Sequence, residues 1–369
     1  LRKPIIVTGG LGFLGSWVVD EAIKRGYKVI VIDALTYAAN PEYLKDHKIR
    51  ILQPEDRILW GKIVLRDGNI KPLWEFKEQN FERCKDIEGA IRDFLESELE
   101  VLVIIDSVED HEMMLRILKF SPYIIHLAAE THVDKSIESA WDFVRSEIIG
   151  FYSIIEAFRR IWGKEGFFVL VSTDEVLGEI MEGEADESYP LKPRNPYAAA
   201  KASQEHFAQS YINTYGTPIT IVRPTNAFGP RQHDEKFVPT IIRNALMGTP
   251  IPVYGNGKQR RVWIYAEDVA RGIMEVFEKG EKFEIYHIGS DYELENIELV
   301  KMILRMMGKS EDLISFVKDR PGHDRRYRLA YNKILKLGWR VETTLEEGLK
   351  ATIEYYTKKY VSGGSSVRR

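Results

Sequence analysis

The chain carries a single cysteine, Cys84, in 369 residues. One thiol excludes an intramolecular disulfide and any cysteine-rich metal site, and it suits a reducing cytoplasm. The eight histidines include no His-x-x-x-His pair and no carboxylate-flanked ligand spacing, so no metal is expected. Long apolar runs are missing as well. No stretch approaches the ~20 apolar residues that cross a bilayer, and the N-terminus enters a strand directly, so neither a signal peptide nor a membrane span is expected. Neither sign of charge dominates: 52 basic and 56 acidic side chains leave a net charge of −4, which gives no general attraction to nucleic acid. No internal repeat is visible. What remains reads as a soluble globular chain, 44% apolar and 29% charged, whose length suggests about two domains.

Short β-rich apolar runs recur, among them PIIVT at 4–8, KVIVID at 28–33, VLVII at 101–105, YIIHL at 123–127, FFVLVS at 167–172 and PITIV at 218–222. Stretches with helical spacing lie between most of them, and strand alternating with helix implies an α/β fold with a parallel sheet covered on both faces. Residues 1–225 are expected to form that domain. From about 226 the chain is richer in Pro, Gly and charge, and a smaller α+β domain is expected over 226–358. Segment 48–100 stands apart: Asp67-Gly68 between alternating runs signals a hairpin, and 81–99 reads as an amphipathic helix. We expect this insertion to be an excursion at the rim of the sheet. Residues 359–369, ending VSGGSSVRR, are Gly/Ser-rich and read as a disordered tail or a cloning remnant.

The opening segment is strand, glycine turn, helix, strand, acid. Gly9, Gly12 and Gly15 permit a tight turn and close approach of backbone to a pyrophosphate at the helix N-terminus. Asp33 closes the second strand, where a carboxylate can accept from a ribose diol, and Ala34 follows where a 2′-phosphate would need a cation, so NAD is favoured over NADP. Further along, NPYAAAK sets Tyr197 and Lys201 four residues apart on one helix face. An ammonium beside a phenol, with the nicotinamide's positive charge nearby, lowers its pKa, so Tyr197 could take a proton from a sugar hydroxyl, with Thr173 bonding the same hydroxyl. FFVLVSTDEVLG ends a strand in Ser172 and Thr173 and then sets two adjacent acids, Asp174 and Glu175, at its mouth.

The motifs TGGLGFLGS, DALTYAAN, HLAAETHVDKSI, STDEVLGE, NPYAAAKAS, PVYGNGKQRRVWIYAEDVA, YHIGS and DRPGHDRRY resemble the extended short-chain dehydrogenase/reductase (NAD-dependent epimerase/dehydratase) family over nearly the whole chain except 48–100 and the tail. The resemblance implies a Rossmann-type doubly wound parallel sheet, a smaller C-terminal substrate domain, bound NAD and a homodimer formed by helices over 141–160 and 198–215, with Ile148, Ile149, Ile154 and Ile155 spaced for burial. It implies cofactor contacts from Gly9, Gly12, Phe13, Leu14, Gly15, Asp33, Leu35, Thr36, Asp106, Ser107, Leu127, Ala128, Ala129, Tyr197 and Lys201. A competing alignment gives Asp56 the adenine-contacting role of Asp106. Through the Asp-Glu pair the resemblance implies 4,6-dehydration of a nucleotide sugar, dTDP-glucose or UDP-glucose, in which Tyr197 would take the 4-hydroxyl proton, Glu175 would remove the C5 proton and Asp174 would protonate the departing 6-hydroxyl. Thr131, His132, Asn226, Lys236, Pro252, Tyr254, Arg261, His287, Arg320 and His323 are the implied substrate contacts; Arg325, Arg326 and Arg328 read as surface ion pairs. Ala34, Leu177, Val262 and His287 depart from the family pattern: the first bears on cofactor affinity, and the other three raise the expectation of an altered pocket around sugar or base. A 4-epimerase or decarboxylase of the same family is the nearby alternative, and a catalytically silent NAD-binding scaffold the one of a different class.

Overall fold

The computed structural model describes residues 4–55, 62–64, 70–72, 81–131 and 133–362. The apolar runs assemble into one sheet of nine strands in which every neighbouring pair is parallel. In chain order these are β1 (Pro4–Thr8), β2 (Lys28–Asp33), β3 (Ile49–Pro54), β4 (Glu82–Cys84), β5 (Val101–Ile105), β6 (Tyr123–His126), β7 (Phe167–Val171), β8 (Ile219–Pro224) and β9 (Ile285–Ile288). Across the sheet they run β9-β8-β7-β6-β1-β2-β5-β3-β4. The winding reverses between β1 and β6, and such a reversal opens a crevice beyond the carboxyl ends of the strands.

Both faces are covered, which is why the central strands are continuously apolar rather than alternating. Successive side chains point to opposite faces. Ile5, Val7, Val29 and Val31 pack under α1 (Phe13–Lys24), with Val269 and Ile273 of the helix Ala266–Lys279. Ile6, Ile30 and Ile104 pack on the other side against Phe151, Ile154, Ile155 and Phe158 of α2 (Phe151–Trp162). Ile154 and Ile155 are therefore spent on this chain's own core, contrary to the expectation that they serve a subunit contact. The helix expected over 141–160 is interrupted by a π-helical turn, Val144–Gly150. A further core forms around Phe228, Ile241, Trp263, Leu299 and Tyr356, while β9 and the helix Ala266–Lys279 return to the large sheet. The last helix, Leu345–Ser362, continues past 358 into the span read as tail.

Segment 48–100 is more than a hairpin and a helix. Lys62–Val64 does pair antiparallel with Ile70–Pro72, with the turn residues Asp67 and Gly68 outside the described residues. The helix is shorter than expected, Ile87–Glu96, begun by the Asp86 carboxylate accepting from the Gly89 N–H. The segment also adds β3 and β4 to the sheet edge. β5, wholly apolar, takes the buried place beside β2, and β3 pairs outside it. The reason is charge: Arg50 of β3 stays at the partly exposed rim, paired with Glu82 of β4 at 2.5 Å, and burial next to β2 would strip that ion of water. Asp106 thus follows the strand beside β2, and Asp56 lies outside the described residues. Among those residues no helix is long and apolar enough to cross a membrane.

One charged network braces the sheet from within. Arg223 of β8 forks onto Glu205 of α3 (Pro196–Tyr215) at 2.6 Å, Ser172 donates to the same carboxylate at 2.6 Å, and Arg223 meets His287 of β9 at 3.3 Å. All four are buried. Glu205→Ala should cost about 3–5 kcal/mol in urea unfolding because it leaves the guanidinium buried and unpaired, whereas joint replacement by Arg223→Met and Glu205→Leu should cost far less.

Candidate active site

The glycine turn after β1 is as tight as the spacing suggests. A Cβ on Gly15 would sit 2.0 Å from the Gly9 carbonyl oxygen, and one on Gly9, at φ +70°, would meet the Ala128 nitrogen at 2.8 Å. Helix α1 starts at Gly12 with no side-chain cap and no acid in its first turn, so its leading N–H groups are available to an anion. Asp33 is fixed beside it: one carboxylate oxygen accepts from the Leu11 N–H at 2.9 Å and the other from the Leu35 N–H at 2.8 Å. Burial pushes this carboxyl up to about 6, against the pull of the two N–H groups. A turn that only glycine fits, an uncapped helix start and an oriented carboxylate together suit a dinucleotide's pyrophosphate and ribose diol.

One cavity runs from this turn to the mouth of β7. Gly9, Gly12, Phe13, Leu14, Gly15, Asp33, Ala34, Thr36, Asp106, Ser107, Leu127, Ala128 and Ala129 line one end, and Thr173, Asp174, Glu175, Tyr197 and Lys201 the other. Leu35 does not line it. Its backbone adopts φ 53° and its side chain is buried in the core, so its part is to hold Asp33.

At the other end, Asn195 and Pro196 start α3. The Asn195 side chain caps the Ala198 N–H at 2.8 Å, and proline fits the first turn. This fixes Tyr197 and Lys201 on the inward face, both buried. Lys201 donates to the Val171 carbonyl at 2.8 Å and lies 3.5 Å from the carboxylate of Glu147. Among the chain's own groups, burial first, then the charges of Glu175 and Glu147, hold the Tyr197 phenol well above 10. The Lys201 charge is already engaged by Glu147. The two acids at the strand mouth differ sharply. Asp174 is buried, accepts from the Thr173 hydroxyl at 3.2 Å, and is pushed up to about 7 by burial and by the neighbouring Glu175. Glu175 accepts from Asn195 at 3.4 Å and from the Tyr327 hydroxyl at 3.5 Å.

A second cavity shares Thr131, Glu175, Asn226 and Lys236 with the first and continues to Pro252, Tyr254, Arg261, Arg320 and His323. Three cationic side chains face it. Lys236 donates to the Thr131 carbonyl at 2.5 Å and is lowered to about 8 by burial. Arg261 lies 4.4 Å from the centre of the Tyr327 ring, and Arg320 lies 3.2 Å from Asp134. His323 is lowered to about 4 by burial and by Arg320. Guanidinium forks and an ammonium around one hollow suit a diphosphate. His132 lies outside the described residues, and His287 lines neither cavity: it is buried within the sheet, bonded to the Ala330 carbonyl at 2.9 Å. Leu177 and Val262 are buried and line neither cavity. Arg326 and Arg328 pair with Glu293 and Glu184 at 2.5 and 2.8 Å.

A family model described as the NAD dependent epimerase/dehydratase family matches residues 5–289. The chain belongs to the NAD dependent epimerase/dehydratase family. It is 35% identical to a dTDP-glucose 4,6-dehydratase of Haemophilus influenzae, over 95% of this chain and 97% of that protein. It is 37% identical to the low-salt glycan biosynthesis protein Agl12 of Haloferax volcanii, over 95% and 98%. Among solved structures it is similar to DesIV, a dTDP-glucose 4,6-dehydratase from Streptomyces venezuelae with NAD bound, at TM-score 0.79, 33% identity and 96% and 97% coverage.

Within this NAD dependent epimerase/dehydratase family member, sequence reasoning passed over Glu147, Asn195 and Tyr327. Asn195 and Tyr327 stood inside NPYAAAK and DRPGHDRRY, and the Asn-Pro start of a helix was a readable cap. Glu147 carried no such signal. The Asp174 carboxyl, ordinarily at 3.8 and here about 7, is neutral in the fold at acid pH, and the stability its neutral form preserves is lost as pH rises through about 7. Asp174→Asn should therefore raise unfolding stability by roughly 2–4 kcal/mol near pH 8 and leave it nearly unchanged near pH 4. Urea titrations at both pH values check this; equal gains at both would contradict it.

Proposed function

We propose that this chain is an NAD-dependent nucleotide-sugar 4,6-dehydratase converting dTDP-glucose to dTDP-4-keto-6-deoxyglucose. The carrying observation is the Asp174–Glu175 pair, split by its surroundings into a carboxyl near neutrality and a partner accepting hydrogen bonds, beside Tyr197 and Lys201 at the junction of the two cavities. An epimerase needs the tyrosine and the cofactor; only an elimination needs both acids as well. The relatives named as dTDP-glucose 4,6-dehydratases support the same reading and the choice of dTDP over UDP.

Gly9, Gly12, Gly15 and the start of α1 would hold the cofactor's pyrophosphate, and Asp33 its ribose diol, with Asp106 and Ser107 facing the adenine end. NAD⁺ held there would supply the hydride acceptor for C4 and, in its reduced form, the hydride donor for C6, so none would be consumed. With that positive charge beside it, the Tyr197 phenol would be relieved of part of the carboxylate field that keeps it protonated, and as the phenolate it takes the proton of the 4-hydroxyl, which Thr173 orients. Oxidation at C4 acidifies the C5 proton, which Glu175 removes and, after exchange with solvent, replaces by giving a proton to C5 as C6 receives hydride. Asp174, still carrying its proton near neutrality, gives it to the departing 6-hydroxyl, so water leaves rather than hydroxide. Lys236, Arg261 and Arg320 hold the diphosphate and exclude water from the junction.

The working unit we propose is a cytoplasmic homodimer, with residues 1–225 serving chiefly the cofactor and 226–358 the nucleotide sugar. Exposed Ile149 and Tyr152 on one helical segment and Phe207 and Tyr215 on α3 support an apolar subunit contact. Purified protein given dTDP-glucose should yield a product that develops the near-ultraviolet absorbance of a 4-keto-6-deoxy sugar in alkali, without net reduction of cofactor. Tyr197→Phe, Asp174→Asn and Glu175→Gln should each lower turnover by about 10²–10⁴-fold, and light scattering should give a dimer. Product epimerised at C4 and still bearing its 6-hydroxyl would overturn the assignment.

A further inference from the structure

Glu147 is a fully buried carboxylate in the middle of the π-helical turn Val144–Gly150. An ion so placed is costly unless it is paired or put to use, and irregular turns of this kind occur frequently at functional sites. One carboxylate oxygen accepts from the Glu130 N–H at 2.8 Å and from the Ser146 hydroxyl at 3.2 Å. The other has no hydrogen-bond donor among the described residues and stands 3.5 Å from the Lys201 ammonium.

We propose that Glu147 is a positioning residue for the proton transfer at Tyr197, holding Lys201 against the Val171 carbonyl and setting, by its own ionisation, how much of the ammonium's charge the phenol feels. This rests on the reading of Tyr197 as the base of the reaction. With Glu147 ionised, the lysine's charge is largely cancelled and the phenol keeps its proton. With Glu147 neutral, the ammonium stands unopposed one helical turn from Tyr197 and draws the phenol toward ionisation.

The groups facing Glu147 divide between its own segment and its neighbours. Lys201 and Tyr197 face it from α3, and the Glu130 carboxyl from the loop after β6. Burial and Glu147 push that carboxyl up to about 7, with Asp142 adding to the rise and Lys135 and Lys236 opposing it. His126 of β6 is kept neutral, at about 3, by burial and by Lys201. Arg145, on the same turn, is directed to Glu109 at 2.9 Å. Burial pushes the Glu147 carboxyl up, while Lys201 and the hydrogen bonds pull it down.

Glu147→Gln fixes the site neutral and keeps an acceptor for the Glu130 N–H. In the NAD-loaded protein we expect the rising limb of kcat/KM against pH to move down by about one unit. The ionisation of Tyr197, read as tyrosinate absorbance against a Tyr197→Phe reference, should move with it, while the thermal midpoint changes little. If turnover falls equally at every pH and neither titration moves, Glu147 is a structural brace and the proposal fails. Should Glu147→Gln not fold, Ser146→Ala removes one donor that favours the ionised carboxylate. It should shift both curves in the same direction by less, and unmoved curves would overturn the proposal too. Absence of product from the wild-type chain at every pH would count against the dehydratase reading, and the tyrosinate titration would still decide the role of Glu147.

Discussion

The parallel register of the central strands is the constraint from which the site follows. Because β1, β2, β5, β6, β7 and β8 all run the same way, their carboxyl ends come to one edge. Each strand there delivers a different group: the glycine turn from β1, Asp33 from β2, Asp106 from β5, Ala128 from β6 and the Thr173–Glu175 run from β7. Reversal of winding between β1 and β6 opens the crevice between them. A one-residue slip at any of these pairings would turn its strand's side chains to the opposite face.

The same burial sets the chemistry. Asp174, Tyr197 and Lys236 all titrate away from their ordinary values, and in each case loss of water is the largest cause. Asp174 and Glu175 are adjacent in sequence, yet one is enclosed and the other accepts bonds from Asn195 and Tyr327, so neighbouring carboxyls stand in opposite surroundings. Such a site detracts from stability, and the buried Arg223–Glu205–Ser172 network ties β7, β8 and α3 together directly beneath it.

The parts legible in the sequence were those specified locally. The glycine turn, the acid ending β2, the Asn-Pro start of α3 and the strand-to-acid passage at 167–175 are each written within a dozen residues. The wholly apolar VLVII likewise announced a buried strand followed by Asp106. What escaped depended on distant partners. The placement of β3 outside β5 turns on competition for one edge, decided by where Arg50 can keep its water. Leu35 looked like a cofactor wall and is a backbone anchor for Asp33. His287 looked like a pocket residue, but β9 joins the sheet interior and carries it to Arg223. Glu147 met Lys201 only through the packing of the π-helical turn on α3, a contact that no spacing encodes. The environment of the Tyr197 phenol is set in the same way, because the lysine beside it is shared with that carboxylate.

The central claim is that hydride leaves C4 and returns to C6 of the same sugar while Glu175 and Asp174 remove water between. Its most direct test is the fate of deuterium placed at C4 of dTDP-glucose, followed by mass spectrometry and proton NMR of the product. The account predicts deuterium at C6 of a 4-keto-6-deoxy product, with a solvent-derived hydrogen at C5. Deuterium found again at C4 of a sugar that keeps its 6-hydroxyl would contradict it.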